Sequence, residues 1–565
     1  MDLQPAFVAP PEIRRIDPRL QPLFDRTLRE SGDPEFLEIA ALSLARIARE
    51  KHGDIASSVD VLTQTMTSSQ DLRIRQACAL ALIQSESISS APQLLDFTAK
   101  ADDSIRLVIE PSLARWKFKP AAEVWMGRLS NRLESSSGIR LACEGLITLE
   151  SVEAAEVLQR ELDDRSNPFP RRMASAAALA RLGPQRALTS ASALSTGPVS
   201  DRLLAVAASA NQQAESTQLL SRLCIDESQA VASAAWLTLF DQNADALKPL
   251  LETGRKHSDA VVRMTSARVM NRFPTPEYCT WLNELLSDAH IEVRNVARQM
   301  LVLNAAADET LRLQIIDQAA TKISGNPADW QGIEQALLVL GQVRSARHSL
   351  ACLPLLTNGR AEVEVTAAWL MHLYPDPNAE CRLAVLKQIE DREALLKTVD
   401  DDPDMVLNAG FQLAHLFQLC GLLRERSQLQ LLSENYSKTC RGGEVKRAAA
   451  MWAIGLSHEN EPLPEIVGQL ESRVRDRTGP NPEREVVRRM SVMALGWMNS
   501  SSSEETLKDS WKMDPPVALI PQSARWVMLR LGLEELPEPK GDTVGVGGWK
   551  LLPAEPLPAE LLLSP

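Results

Sequence analysis

Apolar residues recur along most of this chain at spacings of three and four, the period of a helix that buries one face. Between Ser287 and Leu301, positions 293, 296, 297, 300 and 301 form one apolar stripe, with Asp288 placed to cap the start of the helix. The arrangement repeats. Ile74-Arg75, Ile105-Arg106, Ile139-Arg140, Val262-Arg263 and Val293-Arg294 each open a similar helical run, and Arg171 and Arg202 continue the series. Successive arginines from Arg75 to Arg294 lie 31, 34, 31, 31, 61 and 31 residues apart. The long interval skips one copy, Val231-Ala232-Ser233-Ala234-Ala235-Trp236-Leu237, which keeps the helix and lacks the arginine. A unit of this length holds two helices of about 11 to 13 residues and two short turns. One such pair cannot bury both of its stripes, so neighbouring pairs must stack into a continuous core. The expected fold is all-α: a right-handed α-solenoid, or superhelix, of stacked antiparallel helix pairs.

Beyond residue 305 the rhythm loosens. Second-helix equivalents fall near Ile333, Val363, Met405, Val445, Val487 and Ser523, at separations of 30, 42, 40, 42 and 36. The arginine signature pauses between Arg294 and Val363, and Ser324-Gly325-Asn326-Pro327 lies in the pause. The chain therefore divides into an extended segment over 1–24, short-period repeats over 25–305, longer-period repeats over 306–533 and a Pro/Gly-rich tail over 534–565. That tail ends Leu551-Leu552-Pro553-Ala554-Glu555-Pro556-Leu557-Pro558-Ala559-Glu560-Leu561-Leu562-Leu563, suited to capping the last repeat or to docking on another protein. Five second helices carry a tryptophan: Trp236, Trp369, Trp452, Trp497 and Trp526. These residues are candidates for core anchors or for partner contacts on a concave face.

Composition narrows the function more than it names one. At 565 residues the chain exceeds the roughly 250 to 300 over which a single core keeps growing. Only 4% of residues are aromatic, which favours closely packed helices over sheets. A net charge of −13 repels phosphate backbones and anionic membrane surfaces, so nucleic acid is not an expected partner. Eight cysteines, never closer than 20 residues apart, form no metal or redox motif and read as buried free thiols of a reducing compartment. With no leader-like N-terminus and no run of 18 apolar residues, the expectation is a cytoplasmic protein without a membrane span.

The turn acid, the apolar-Arg step and the Ala-rich second helix resemble the HEAT repeat family, within the broader armadillo-like helical class. They are closest to its short bacterial form, related to the phycobilin-lyase HEAT-like repeats. The resemblance spans about 25–535, with its best copy from Asp288 to Leu303. It implies that turn acids and arginines pair in a ladder along the stack, with Arg75, Arg106, Arg140, Arg263, Asp288 and Arg294 as members. Asp288 and Arg294 match the family's offset within one repeat. Asp259 with Arg263 and Asp102 with Arg106 stand four apart, and Arg202 has no acid at either offset, so the ladder is expected to be interrupted.

Two kinds of enzyme built on such repeats need residues that this chain lacks. The iron-dependent deoxyhypusine hydroxylases use several His-Glu pairs, whereas here His458-Glu459 is the one pair. HEAT-like DNA glycosylases need a basic concave face. The histidines at 52, 257, 290, 348, 372, 415 and 458 form no local ligand motif, although stacking could bring His372 and His415 onto nearby helices. Gly545-Val546-Gly547-Gly548 is not a phosphate loop, and the acidic run at 400–404 reads as a turn capping the helix near Met405. The expected function is a non-catalytic protein-protein interaction scaffold or adaptor, with no metal or cofactor. A lyase-like or cofactor-handling protein and a structural subunit of a larger assembly are the alternatives.

Overall fold

A short polar side chain stands just before many of the helices and accepts a hydrogen bond from the first turn, where backbone N–H groups have no helical partner. Asp33 accepts from the Glu35 N–H, Asp71 from Arg73, Ser135 from Gly138 and Asp308 from both Thr310 and Leu311. Asp402 caps the helix that starts at Pro403 through the Met405 N–H, at 3.1 Å. The computed structural model describes residues 16–51, 53–99, 103–345, 348–399, 402–515 and 519–537. His52, Asp102, Asp400, Asp401, the 545–548 glycines and most of the tail lie outside them. Two starting points differ from the sequence reading. The segment read as extended through residue 24 is helical from Pro18 onward, because Asp17 caps a 3-10 turn that runs into the helix Gln21–Glu30. The helix Ile291–Ala307 is capped by the His290 side chain and not by Asp288, whose carboxylate binds the His290 N–H and a neighbouring repeat.

The opposite ends of the second helices share another device. Each of Glu86, Lys117, Glu150, Arg344, Arg424 and Asn499 has a φ between 53° and 61°, directly past the end of a second helix. At each, the next N–H reaches back five residues, as in Ser87 to Leu82, Ser151 to Leu146 and Glu425 to Cys420. This is the Schellman closure, in which glycine is the unstrained choice. The long polar residues used here reach onward instead. Lys117 donates to the Thr148 carbonyl, Arg424 to the Leu456 carbonyl at 2.7 Å, and Glu86 accepts from Arg115 and from the Trp116 indole. Cations thus meet the carbonyl-rich ends of neighbouring helices, where they are favoured.

The chain forms two compact units, Met1–Leu250 and Leu251–Pro565, so the change of rhythm near residue 305 falls inside the second. Within the first, second helices Pro34–Arg49, Leu72–Gln84, Asp103–Arg115, Ser136–Leu149, Phe169–Leu182, Val199–Ala208 and Gln229–Asn243 stack in order, with the first helices in a parallel layer. The second unit holds Ala260–Arg272, Ile291–Ala307, Trp330–Gln342, Ala361–Leu373, Pro403–Leu422, Gly443–Ser457, Glu485–Trp497 and Leu519–Arg530. No strand occurs among the described residues. The core lies between the layers and between successive second helices. Leu82, Ile109, Leu146 and Leu179 fill it in the first unit, and Leu337, Leu370, Leu413 and Val492 in the second. Pro403–Leu422 is long and apolar enough to cross a membrane, but 67% of that stretch is buried inside its unit, as the core helix of a stack would be.

Close approach between successive second helices distinguishes the later repeats, whereas Gly145 in the first unit meets the Trp125 ring of a first helix. A Cβ on Gly341 would meet the Trp369 ring at 2.2 Å, and one on Gly421 would meet the Trp452 ring at 2.9 Å. Gly410 lies against the Gly442 backbone. The missing side chain of one helix makes room for the indole or main chain of the next.

Candidate interaction face and its supporting ladders

Arginine–acid pairs link neighbouring repeats at Arg106, Arg202 and Arg263, and Arg106, Arg263 and Arg294 also bind within their own repeats. Arg263 binds the Asp288 carboxylate through Nε and Nη2 at 2.7 and 2.8 Å, a two-point contact across 25 residues, and donates to the His257 and Ser258 carbonyls of its own turn. Asp288 and Arg294, matched by offset, do not pair through the carboxylate. Arg294 donates to the Asp288 and Ala289 carbonyls at 2.8 and 3.3 Å. Arg106 reaches Glu134 at 2.7 Å and Asp103 at 3.3 Å. Arg202, with no acid upstream, binds Asp226 downstream at 2.9 Å. Arg75 places its guanidinium over the Phe97 ring, 4.1 Å from the centroid.

Arg140 is not in the ladder. Arg75, Arg202, Arg263 and Arg294 are each the fourth residue of their helix, and Arg106 is the fourth from Asp103, whereas Arg140 is the fifth of Ser136–Leu149. One residue turns a side chain about 100° around the helix. Arg140 faces solvent beside Glu144 at 3.8 Å, whereas Arg447, also the fifth residue of its helix, is buried against Glu483. Members not recognised in the sequence are Arg172, Arg447 and Arg488. Arg172 binds Asp201 at 3.1 Å and the Leu162 carbonyl, Arg447 binds Glu483, and Arg488 binds Asp514 at 2.6 Å and the Val474 carbonyl. Val487-Arg488 repeats the apolar-Arg step and was the available signal; Arg172 stands beside Arg171, which binds Glu161 and two carbonyls of the preceding repeat. Burial pushes the Glu483 carboxyl up, but hydrogen bonds from Arg447 and from the Arg484 N–H outweigh it and hold the group below its ordinary range.

Trp236, Trp369, Trp452 and Trp497 are buried, and Trp526 is half-buried. The Trp236 indole donates to the Cys224 carbonyl at 3.1 Å. Trp452, Trp497 and Trp526 meet edge to face, with centroids 5.6 and 6.2 Å apart, and Arg530 stands over the last ring. Trp125, on a first helix and outside the sequence pattern, is also buried, with its ring against Gly145.

Through Ile291–Ala307 the second helices keep an open stripe. Leu42, Leu107 and Val108 are exposed, and Leu80 is half-buried beside them. Leu42, Leu80 and Val108 border a cavity of about 290 Å³ lined also by Glu38, Arg73 and Gln76. The Arg73 guanidinium lies 3.8 Å from Glu38, so an apolar trough carries one ion pair at its rim. Farther along, Phe169, Ala177 and Arg181 are exposed, as are Val199 and Leu237. From Trp330–Gln342 onward the stripe closes, with residues 332–342, 363–372 and 446–457 buried in unbroken runs. His372 and His415 come together there, rings stacked at 5.1 Å and Nδ1 atoms 3.2 Å apart.

Among the described residues, no group of three or more His, Cys, Asp and Glu side chains is placed to hold a metal ion. His458 lies 3.4 Å from Glu461 and not beside a second histidine. Seven of the eight cysteines are buried free thiols, and Cys440 is half-buried. Burial pushes the thiols of Cys78, Cys143, Cys224, Cys352 and Cys420 up to about 12, where they remain protonated and poor nucleophiles.

No family model matches the chain, and neither does any curated protein. Among solved structures, Kap95p in its complex with RanGDP is 14% identical, covers 91% of this chain and 72% of its own, and has a TM-score of 0.50. Importin beta, at 12% identity and 0.46, and Kap121p bound to Nup53p, at 10% and 0.32, each cover 91% of this chain, and 75% and 74% of their own. The likeness to Kap95p is one of fold: stacked antiparallel helix pairs of the HEAT-like kind.

Proposed function

We propose that the protein is a non-catalytic scaffold that binds a protein segment on the open stripe of its second helices. The observation that carries this reading is the trough formed by Leu42, Leu80 and Val108 on three successive second helices, with the Glu38 and Arg73 pair at its rim. Exposed apolar side chains grouped around a cavity mark interaction sites more than scattered ones do. Three parallel helices at this spacing suit an amphipathic helix or an extended segment that inserts apolar side chains between them. Kap95p, which shares the fold, binds RanGDP, and that likeness supports a scaffold more than an enzyme of the lyase or cofactor-handling type. The buried free thiols support a reducing, cytoplasmic setting.

The test is affinity purification of the tagged full chain beside Leu42→Asp and Val108→Asp variants, with circular dichroism to confirm their helix content. A near-stoichiometric partner lost by both folded variants supports the reading. Equal recovery with wild type and variants overturns this face as the binding surface. A coloured or metal-containing preparation with no partner would favour the cofactor-handling alternative.

A further inference from the structure

The first helices Pro276–Leu285 and Glu309–Ile323, in consecutive repeats of the second unit, face each other across a groove of about 460 Å³ lined by polar side chains. Helical spacing puts them there. Thr280, Asn283 and Glu284 share one side of the first of these helices, and Gln314, Asp317 and Gln318 share one side of the second. A chain of hydrogen bonds then fixes which way the amides point. The Pro276 carbonyl can only accept, and it takes the Gln314 Nε2 hydrogen at 2.8 Å and the Thr280 hydroxyl hydrogen at 3.2 Å. With its one hydrogen committed, Thr280 Oγ1 accepts from Gln318 Nε2 at 2.7 Å. Gln318 is thereby held with its nitrogen on Thr280 and its carbonyl oxygen turned away, and that oxygen is buried with no hydrogen-bond partner.

Donors are thus consumed inside the groove while acceptors are left over. Asp317, one residue before Gln318, is exposed, and its carboxylate makes no ion pair among the described residues. Cations on the neighbouring elements are engaged elsewhere: Arg255 by Glu252 and Glu284, Lys322 by Ser287 and Asp329, and Arg312 by Glu309 and the Val343 carbonyl. Burial lowers the His348 pKa against the raising pull of Asp317, so that ring stays neutral at pH 7 and leaves the Asp317 charge uncompensated. An acceptor buried without a donor disfavours the empty groove, and a ligand that brings a donor removes that penalty.

We propose that this groove binds an arginine side chain presented by an extended segment of a partner protein. A guanidinium has five N–H donors in one plane, no acceptor and a permanent charge. One edge meets the Asp317 carboxylate by two hydrogen bonds while another N–H faces the Gln318 oxygen. Lysine presents its three donors from a single point. The Asn283 amide, on the opposite wall, offers a donor and an acceptor to the main chain that carries the arginine. Running between helices of 10 and 15 residues, the groove lets such a chain lie along it. This goes beyond the scaffold reading, because the groove belongs to the first-helix layer of the second unit and shares no residue with the Leu42, Leu80 and Val108 trough.

The probe is the synthetic peptide acetyl-Gly-Arg-Gly-amide, added to the full chain and followed by saturation-transfer NMR beside its citrulline and lysine counterparts and spermidine. The arginine peptide should bind, and the citrulline peptide, similar in shape but uncharged, should not. Asp317→Asn and Gln318→Leu should each weaken binding by about tenfold, the worth of one hydrogen bond to a charged group. Glu153→Gln, which removes an equal charge from an exposed site in the first unit, should leave binding unchanged. The citrulline comparison uses no variant and so holds even if Gln318→Leu fails to fold. Failure of the arginine peptide to bind the wild-type protein overturns the proposal. So does an equal loss in Glu153→Gln, which assigns the attraction to the net charge of −13 alone. Binding of the lysine peptide or of spermidine as tight as that of the arginine peptide overturns the choice of an arginine side chain.

Discussion

The second helices up to Ile291–Ala307 and those from Trp330–Gln342 onward are built to one plan and finished differently. In Phe169–Leu182 the outer stripe is Phe169, Met173, Ala174, Ala177 and Arg181, all exposed or half-buried. In Gly443–Ser457 the outer positions are Ala448, Met451 and Gly455, all buried. Glycines in the later helices let backbones approach closely enough for an indole to lie across the junction, and a charge inside must then be paired. Lys446, with no exposed surface, donates to Glu393 at 2.8 Å. The difference teaches that a repeat can change from a presenting surface to a sealed one through a few positions, without changing its ladders.

The largest effect separating the two regions should come from that buried pair. Lys446→Met leaves the Glu393 carboxylate unpaired in the interior and should destabilise by about 3 to 5 kcal/mol in urea titrations. Arg140→Ala, removing an exposed pair, should change stability by less than about 1 kcal/mol. Next comes close packing. Gly410→Ala puts a Cβ 2.1 Å from the Gly442 carbonyl oxygen, a main-chain atom that cannot rotate away, and should cost about 1 to 3 kcal/mol. Gly127→Ala in the first unit meets nothing within 4 Å and should stabilise its helix by about 0.5 to 1 kcal/mol. If both glycines tolerate alanine equally, close approach does not distinguish the regions.

The ladder predicts a smaller change common to both. Arg294→Ala removes two hydrogen bonds to turn carbonyls and should lower the melting temperature while leaving partner capture intact; lost capture at an unchanged melting temperature would make Arg294 a contact residue. Acid should act on the later repeats. Burial pushes the Glu425 carboxyl up, but hydrogen bonds from Arg382 and Ser427 dominate and bring it to about 2, and Glu483 is lowered in the same way. A carboxylate depressed on folding contributes stability above its unfolded value near 4.5, and that stability is lost as pH falls towards the folded value. Trp452 and Trp497 fluorescence should therefore change between pH 4.5 and 2, with a shallower response in Glu425→Gln. The smallest effect is chemical: Ellman's reagent on the native protein should modify Cys440 well ahead of the seven buried thiols.

The helix pairs were legible because two signals coincide, an arginine at the fourth helical position and an alanine-rich run after it. Where they separate, reading fails. Arg140 fits the interval to within three residues yet points outward, while Arg172 and Arg488 hold ladder places that the interval count passed over. The direction of the ladder was hidden for a different reason. An offset of six within one repeat was visible, whereas the bond from Arg263 to Asp288 crosses 25 residues and depends on how repeats stack. The left-handed helix ends were invisible because Lys117, Glu150 and Arg424 stand where glycine is the usual sign. His372 and His415 were placed on neighbouring helices by the repeat, but their contact depends on helix rotation.

Arg106, Arg202 and Arg263 each span one junction, and so do Glu86, Lys117 and Arg424 among the left-handed end residues. Within a unit, a pull along the stack therefore loads these junctions in series, so every one bears the same force and the weakest yields first. Such a unit lengthens by discrete steps and recovers as each junction closes again, giving it the compliance of a spring whose stiffness is set by its softest coil.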